Sequence, residues 1–132
     1  MEPRTSRADR KAKSASDVAE PIDLAHLSQF TLGDKHLESE ILGLFMAQVP
    51  ISIATLKQAE NDGAWYLAAH SLKGSARAVG ARRLAALAAR AERLGGVSDM
   101  NTCRKLVRML EDAAEEAQVF IRSLVPNAQG TT

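Results

Sequence analysis

Residues 69–81 read AHSLKGSARAVGA and contain a histidine with two informative neighbours. Lys73 and Gly74 follow His70 at three and four residues, and side chains at these spacings adjoin each other on a helix surface. Lys73 therefore brings positive charge beside the imidazole, while Gly74 leaves the adjoining surface without a side chain. A glycine inside a helix costs about 1 kcal/mol relative to alanine, so another requirement must favour it at this position.

The apolar residues around His70 recur on one helix face and place the histidine on the opposite side. Their spacings of three and four residues are those of one face of an α-helix. At about 100° per residue, His70 lies roughly 140° from the centre of this face. We therefore expect an accessible imidazole beside a cation, an arrangement well suited to carry a phosphoryl group. The apolar face consists of Trp65, Ala69, Leu72, Ala76 and Val79.

Other interpretations of His70 find less support in the sequence. A histidine on an exposed helix face is most often only a solvated residue, and the Lys73 and Gly74 spacing is what favours a functional role. A zinc site needs three or four ligands, and no second His or Cys falls at ligand spacing from His70. A hydrolase would need a nucleophile and an orienting carboxylate, and neither lies nearby in sequence. His26 and His36 have no Lys-Gly neighbourhood, so we expect ordinary solvated imidazoles there.

The segment around His70 resembles the histidine-containing phosphotransfer (Hpt) domain of bacterial and fungal phosphorelays. The family pattern is His, any residue, Leu, Lys, Gly and then small residues, with Gly-Ala near the end of the helix. Residues 70–76 and 79–81, followed by Leu84, match this pattern. The upstream positions that resemble the first two helices of the family are Ile22, Asp23, Leu24, Gly33, Asp34, Leu42, Phe45 and Pro50. The resemblance covers about residues 21–125.

The resemblance, with the chemistry of these side chains, predicts a role for each residue. His70 is the phosphoacceptor, Lys73 stabilises charge on the phosphoryl oxygens, and Gly74 provides steric clearance for the partner. Ile22 or Leu24 is a weaker candidate for the docking surface, because such side chains more often lie in a core. The residues expected to bind the partner are Leu67, Ser71, Ser75, Arg77 and Arg82.

The resemblance also implies the partners. The donor would be the receiver domain of a hybrid histidine kinase, and the acceptor the receiver domain of a response regulator. The chain has no Gly-rich phosphate loop and no acidic pocket for magnesium. We therefore expect a phosphoryl carrier without its own ATP site, with no cofactor or metal bound by this chain and Mg²⁺ on the partner receiver domain.

Composition excludes several other classes of protein. The net charge of +1 draws the chain neither to nucleic acid nor to an anionic membrane. Cys103 is the only cysteine, so no disulfide forms within the chain, and its place on an apolar face predicts a small buried residue. No run approaches the roughly 18 apolar residues of a membrane span, and the first twenty residues lack the apolar stretch of a secretory signal. We expect a cytoplasmic monomer.

Periodicity predicts an all-α fold, an antiparallel up-down four-helix bundle with a short extra N-terminal helix. Residues 1–20 are predicted to be a disordered polar tail, residues 21–126 the Hpt four-helix bundle, and residues 127–132 a flexible C-terminal tail. Residues 1–13 carry five Arg or Lys against Glu2 and Asp9. A weak contact with an acidic surface stays open for this basic arm, but salt screening favours a solvated tail.

The predicted helices follow the breaks in the chain. A short helix starts near Pro21, and a long one runs from a cap at Asp34 to about Asn61, ended by residues 62–63. The His70 helix spans about residues 64–79, the next ends at residues 95–96, and the last is capped by Ser98 or Asn101. Outside the His70 helix, the residues expected to face inward are Leu37, Ile41, Leu44, Phe45, Val49, Leu56, Leu84, Leu87, Ala88, Ala91, Leu94, Cys103, Leu106, Leu110, Ala113, Ala117, Phe120, Ile121 and Leu124.

Three other functions compete with a phosphoryl carrier. The first is a bundle that docks a kinase or receiver as a scaffold, with His70 never phosphorylated. The second is the dimerising phosphoacceptor domain of a histidine kinase, whose histidine is normally followed by an acidic or polar residue and a proline-containing turn, unlike the sequence here. The third is a nucleic-acid-binding bundle, against which the near-neutral charge and the few aromatic residues argue.

Overall fold

The computed structural model of the chain describes residues 20–94, 97 and 99–124. All regular secondary structure in this part is α-helical. The predicted tails at residues 1–20 and 127–132 lie outside the described residues, except for Glu20. The five helices are α1 (Leu24–Thr31), α2 (Lys35–Lys57), α3 (Asp62–Val79), α4 (Arg82–Leu94) and α5 (Met100–Leu124).

The helices enclose one core of aliphatic and alanine side chains. α3 packs against α2 and α4, α5 packs against the same two helices, and α1 closes on α2 and α3. Alanines at the α3–α4 contact, such as Ala69 and Ala88, are fully buried and let the two backbones approach closely. The apolar face predicted for α3 is confirmed, because each of its five residues is buried. Cys103 is buried, as predicted.

Gly80 ends α3 and ties the start of α1 to this point. Its φ of +81° is a left-handed conformation that glycine adopts without strain. The amide of Ala81 donates to the carbonyl of Ala76 at 2.8 Å, and the amide of Gly80 donates to Arg77 at 3.2 Å, which closes the helix in a Schellman turn. The Gly80 carbonyl accepts a hydrogen bond from the amide of Asp23 at 2.8 Å. The end of the His70 helix is therefore a fixed point in the bundle.

Three helix boundaries differ from the prediction because capping side chains lie elsewhere. α2 ends at Lys57 rather than near Asn61. Asn61 instead caps α3, accepting from the Ala64 amide at 2.8 Å, so residues 62–63 form the first turn of α3 rather than a terminator. Asp99 rather than Ser98 or Asn101 caps α5, accepting from the amide of Thr102 at 3.1 Å. Ser98 lies outside the described residues.

Several leucines predicted to face inward are exposed. On α2, Leu37 and Leu44 are 38% and 72% exposed, because the apolar part of the buried face follows a row that begins at Leu42. Successive residues turn by about 100°, which places Leu44 well away from this row. Leu94 and Leu124 each form the last residue of a helix, and both are 37% exposed. The apolar residues of the buried face of α2 are Leu42, Phe45, Val49, Ile53 and Leu56, and Glu38 and Ser52 are buried with them.

α2 is long and apolar enough to cross a membrane by length and composition. The expectation that no segment would approach this criterion was therefore too strict. A core helix of a soluble bundle passes the same test, because the face that it buries must be apolar. α2 places Phe45 and Val49 in the core, so its composition is weak evidence for a membrane span.

Candidate functional site

His70 lies on the outer face of α3, as its spacing from the apolar residues predicts. Its side chain is 58% exposed, whereas its sequence neighbour Ala69 is fully buried. The opposite environments of these two residues follow from the helical turn between them. The imidazole is therefore accessible to another protein while its helix stays anchored in the core.

The carboxylate of Glu92 on α4 joins His70 to Lys73. Its Oε2 lies 2.6 Å from Nδ1 of His70, and its Oε1 accepts a hydrogen bond from Nζ of Lys73 at 2.5 Å. The side chains of Glu92 and Lys73 are only 13% and 17% exposed. Both oxygens of the carboxylate are thus hydrogen-bonded to protein side chains, and the three residues form one hydrogen-bonded cluster.

The charge of Glu92 determines which nitrogen of His70 carries the proton. Hydrogen bonds from Lys73 and then from His70 lower the pKa of Glu92 to about 2, so the side chain is a carboxylate at neutral pH. A carboxylate only accepts hydrogen bonds, so the proton between the two side chains belongs to Nδ1 of His70. In the neutral imidazole, Nε2 then carries the lone pair. The site therefore presents Nε2 as a nucleophile.

The position of Glu92 relative to His70 depends on a buried bond between α3 and α4. Nε1 of Trp65 donates a hydrogen bond to the carbonyl of Ala91 at 2.7 Å. Trp65 is 2% exposed and Ala91 is fully buried, so water does not compete for this bond. Because Ala91 directly precedes Glu92, the bond sets the register of the two helices at the carboxylate.

The two sides of the imidazole along α3 differ. Tyr66, one turn before His70, stacks on the imidazole with ring centroids 5.8 Å apart and planes 15° from parallel. Gly74 lies one turn after His70, and a Cβ added there would meet nothing within 4 Å. The phenol thus covers one side of the ring, while the other side is open for a partner to approach.

Lys73 lies where its spacing predicts but makes a different contact from the one expected. Its ammonium group donates to Glu92 instead of extending freely toward the space above His70. It therefore reaches the imidazole through the carboxylate, and it keeps Glu92 charged. Contact with phosphoryl oxygens would require the ammonium to share its donors between them and Glu92, which its three N–H groups allow.

The residues predicted to bind a partner differ in how exposed their side chains are. Leu67 is 67% exposed, a large apolar side chain one turn from Ser71. Ser71 is also exposed, whereas Ser75 is half-buried. The Arg77 side chain is exposed, while its backbone carbonyl lies 3.0 Å from Nε2 of His26. These four positions stay available to a partner.

Arg82 differs from the other predicted docking residues because it has a partner within the chain. Its guanidinium donates to the carboxylate of Asp23, the N-cap of α1. Ile22, considered as a contributor to the docking surface, is fully buried and is excluded from it, since it anchors the start of α1 in the core. Leu24 is half-buried.

Glu92 and Tyr66 are site residues that the sequence pattern did not predict. Tyr66 lies four residues before His70, a spacing that places it on the same helix face. Glu92 lies 22 residues away on another helix. One signal for it was present, because Glu92 is the only acidic residue in α4 beside four arginines. Only the packing of α4 on α3 shows which group this carboxylate meets.

No group of three or more potential metal ligands occurs among the described residues. Glu92 is the carboxylate next to His70, and both of its oxygens already accept hydrogen bonds from protein groups. Nothing in this cluster resembles a divalent cation site, which would take several oxygen ligands.

Comparison with known proteins identifies the family. The family model of the Hpt domain matches residues 40–120, which include His70, Lys73, Gly74 and Glu92. No curated protein and no solved structure matches the chain. The matched segment covers most of α2 and all of α3 and α4, and α3 and α4 carry the cluster around His70. The chain therefore belongs to the Hpt domain family, whose members act in histidine phosphotransfer in phosphorelay signalling.

Proposed function

We propose that His70 accepts a phosphoryl group from the aspartate of one receiver domain and passes it to the aspartate of another. The observation that supports this most directly is the exposed imidazole whose Nδ1 is bound to Glu92 at 2.6 Å. With Nδ1 occupied as a donor, Nε2 is the nitrogen available for chemistry.

The proposed transfer is a displacement at phosphorus. The lone pair of Nε2 forms a bond to the phosphorus of the donor aspartyl phosphate, and the bond from phosphorus to the aspartyl oxygen breaks. The donor aspartate leaves as a carboxylate, and Nδ1 of His70 keeps its proton. Passage to the acceptor reverses these bonds, with an acceptor carboxylate oxygen as the nucleophile. Such transfers depend on in-line positioning and on stabilising charge on the equatorial oxygens.

Glu92 and Lys73 have complementary roles in this proposal. Bond formation at Nε2 makes the imidazole ring cationic while Nδ1 stays protonated. The carboxylate of Glu92 lies against Nδ1 and stabilises that charge. Lys73 holds Glu92 ionised, and its remaining N–H groups stabilise the phosphoryl oxygens. Glu92 is a positioning residue, since it acts on the reacting atoms through His70.

The partner reaches His70 from the side of Gly74. The open space at this glycine leaves room for the loops of a receiver domain. Leu67, two turns before Gly74 on the same helix, adds exposed apolar surface on the other side of His70. Ser71, Ser75 and Arg77 complete the proposed docking surface. Arg82 contributes there only if a carboxylate of the partner competes with Asp23.

We propose a hybrid histidine kinase as donor and a response regulator as acceptor, with Mg²⁺ held by the receiver domain and none bound by this chain. The chain would act as a cytoplasmic monomer and a carrier without its own ATP site. Residues 21–126 would form its Hpt domain as an antiparallel up-down four-helix bundle with α1 as the extra helix, which the short connections between successive long helices favour.

The test is phosphoryl transfer from a panel of radiolabelled, phosphorylated receiver domains. We expect wild type to acquire an acid-labile, alkali-stable label and His70→Gln to acquire none. His26→Gln and His36→Gln are matched controls, because each removes one of the other two histidines. Both should be labelled like wild type.

Two outcomes would contradict the proposal. Label that persists in His70→Gln would place the phosphoryl group on another residue. Detectable binding of a receiver that never labels wild type would favour the scaffold function. A mass measurement by light scattering tests the monomer separately, since a histidine kinase dimerisation domain would be an obligate dimer.

A further inference from the structure

A groove of about 710 Å³ lies on the face of the bundle formed by α4 and α5. Its walls carry three carboxylates of α5, and its apolar surface comes from Val119 and Phe120. Val119 is 56% exposed and supplies apolar surface to the groove. The lining residues are Pro21, Arg83, Asp112, Glu115, Glu116, Val119, Phe120 and Ser123.

The groove begins where the N-terminal segment joins the bundle. Pro21 is part of its lining, and the next residue, Ile22, is fully buried in the core. Residues 1–19, which precede the described structure, therefore join the bundle at the edge of this groove. Lys13 lies eight residues before Pro21, a stretch that reaches up to about 27 Å when extended. The groove along α5 from Asp112 to Ser123 is only about 17 Å long.

The charges of the two surfaces are opposite. Residues 1–19 contain five basic and three acidic side chains, a net of +2. The groove contains three carboxylates and one guanidinium, a net of −2. Arg83 is paired with Glu116 at 3.0 Å. Within the part of the chain that the structure describes, Asp112 and Glu115 form no ion pair.

From this complementarity we propose that the basic N-terminal segment, residues 1–19, docks intramolecularly into the α4–α5 groove. Its Arg and Lys side chains meet Asp112 and Glu115, and their methylene groups cover Val119 and Phe120. The segment at residues 125–132 is a poorer occupant, because it contains no basic residue.

Tethering makes this contact feasible despite the weakness of each ion pair. Single exposed ion pairs contribute about 0–1 kcal/mol, and salt screens them. A short tether, however, holds its end at an effective concentration on the order of millimolar. A segment with millimolar affinity for the groove would then be docked about half of the time. Docking should accordingly be partial and strongly dependent on ionic strength.

The groove lies away from the phosphoacceptor cluster. Arg83 and Glu92 are nine residues apart on α4, which places them on opposite faces of the helix at about 100° per residue. The proposal therefore does not depend on the function of His70. Its test uses a measurement that phosphoryl transfer does not enter.

The experiment is paramagnetic relaxation on the full chain with a nitroxide at Ser6→Cys. The native Cys103 is buried, and labelled protein without Ser6→Cys controls for reaction there. At low salt we expect selective broadening of the amide signals of Val119 and Ser123. The broadening should decrease in the double variant Asp112→Asn/Glu115→Gln and in about 0.5 M NaCl, where the Debye length shortens to a few ångströms.

Glu60→Gln is the matched control, because it removes an exposed carboxylate that does not line the groove. It should leave the broadening unchanged. Broadening confined to residues next to the tag in sequence, or equal in the double variant, would overturn the proposal. A mixture of ¹⁵N-labelled chain without the nitroxide and unlabelled chain with it distinguishes contacts between two molecules. Broadening in that mixture would show that the segment binds a second copy and would also overturn it.

Discussion

Nδ1 of His70 lies 2.6 Å from Oε2 of Glu92, a residue 22 positions further along the chain. This hydrogen bond joins the outer faces of α3 and α4 and assigns the proton of the imidazole to the nitrogen that faces the protein. In the proposed transfer, the other ring nitrogen, Nε2, forms the bond to phosphorus. The geometry of one hydrogen bond thus connects helix packing with the chemistry proposed for His70.

Replacing Glu92 by alanine should slow phosphoryl transfer by about tenfold, the cost of losing a charged hydrogen bond. Without the carboxylate, Nδ1 loses its acceptor and the imidazole exchanges freely between tautomers. The ¹⁵N shifts of the imidazole should report this loss directly. Glu92→Gln is the informative comparison, because its amide oxygen still accepts from Nδ1 while Lys73 loses its charged partner. A wild-type rate and tautomer in Glu92→Ala would contradict the assigned role.

The pKa of Glu92 predicts how its contribution to stability depends on pH. Its folded-state pKa of about 2 lies below the usual 4.5, so the ionised form stabilises the folded protein above about pH 4.5. This contribution is lost as the pH falls through about 2. The difference in unfolding free energy between wild type and Glu92→Gln should therefore shrink as the pH falls from about 4.5 to about 2. The carboxyl ¹³C signal should titrate near 2, and a midpoint near 4.5 would be inconsistent with the ion pair.

Gly74 should be replaceable without loss of stability but not without loss of transfer. A Cβ there meets open space, so Gly74→Ala should stabilise α3 by about 1 kcal/mol in chemical denaturation. Gly74→Gln should fold yet reduce transfer at least tenfold, because its side chain fills the open side of His70. Gly43→Gln is the control, since Gly43 also lies inside a helix with nothing within 4 Å. Equal transfer by both glutamine variants would argue against the clearance role.

Gly80→Ala should destabilise the protein more than Gly33→Ala. Both glycines have a φ near +80°, and an L-residue in this conformation costs about 1–2 kcal/mol. A Cβ at Gly33 meets nothing, whereas one at Gly80 would lie 2.8 Å from the backbone oxygen of Asp23. Gly80→Ala must therefore also displace the start of α1. Similar unfolding free energies for the two variants would show that α1 does not pack firmly here.

Trp65→Phe should cost about 1–3 kcal/mol, because it leaves the buried carbonyl of Ala91 without its donor. The loss should also loosen the register of α3 and α4 beside Glu92. We expect lower stability in urea together with a weaker Nδ1–H preference in the imidazole spectrum of His70. A variant that loses stability but keeps the full tautomer preference would show that packing of alanines alone maintains the register.

The fold was predictable to the extent that it depends on periodicity. The face of α3 was predicted correctly because Trp65 and the apolar residues after it repeat at helical spacing without interruption. The face of α2 was not, since Leu37 and Leu44 have the hydropathy of core residues and only the neighbouring helices distinguish them from Leu42. The predicted N-cap residue of α5 was also wrong, because several adjacent polar side chains could fill that position equally well.

The order of residues around His70 was enough to predict its helix, the exposure of its imidazole, the nearby charge of Lys73 and the open surface at Gly74. Each of these follows from spacing along one helix, where the 3.6-residue turn relates sequence position to direction. Helix packing brings Glu92 to both His70 and Lys73, and it opens the α4–α5 groove at the base of the N-terminal segment. These relationships join residues far apart in the chain, and the packing of buried side chains such as Trp65 between helices determines them.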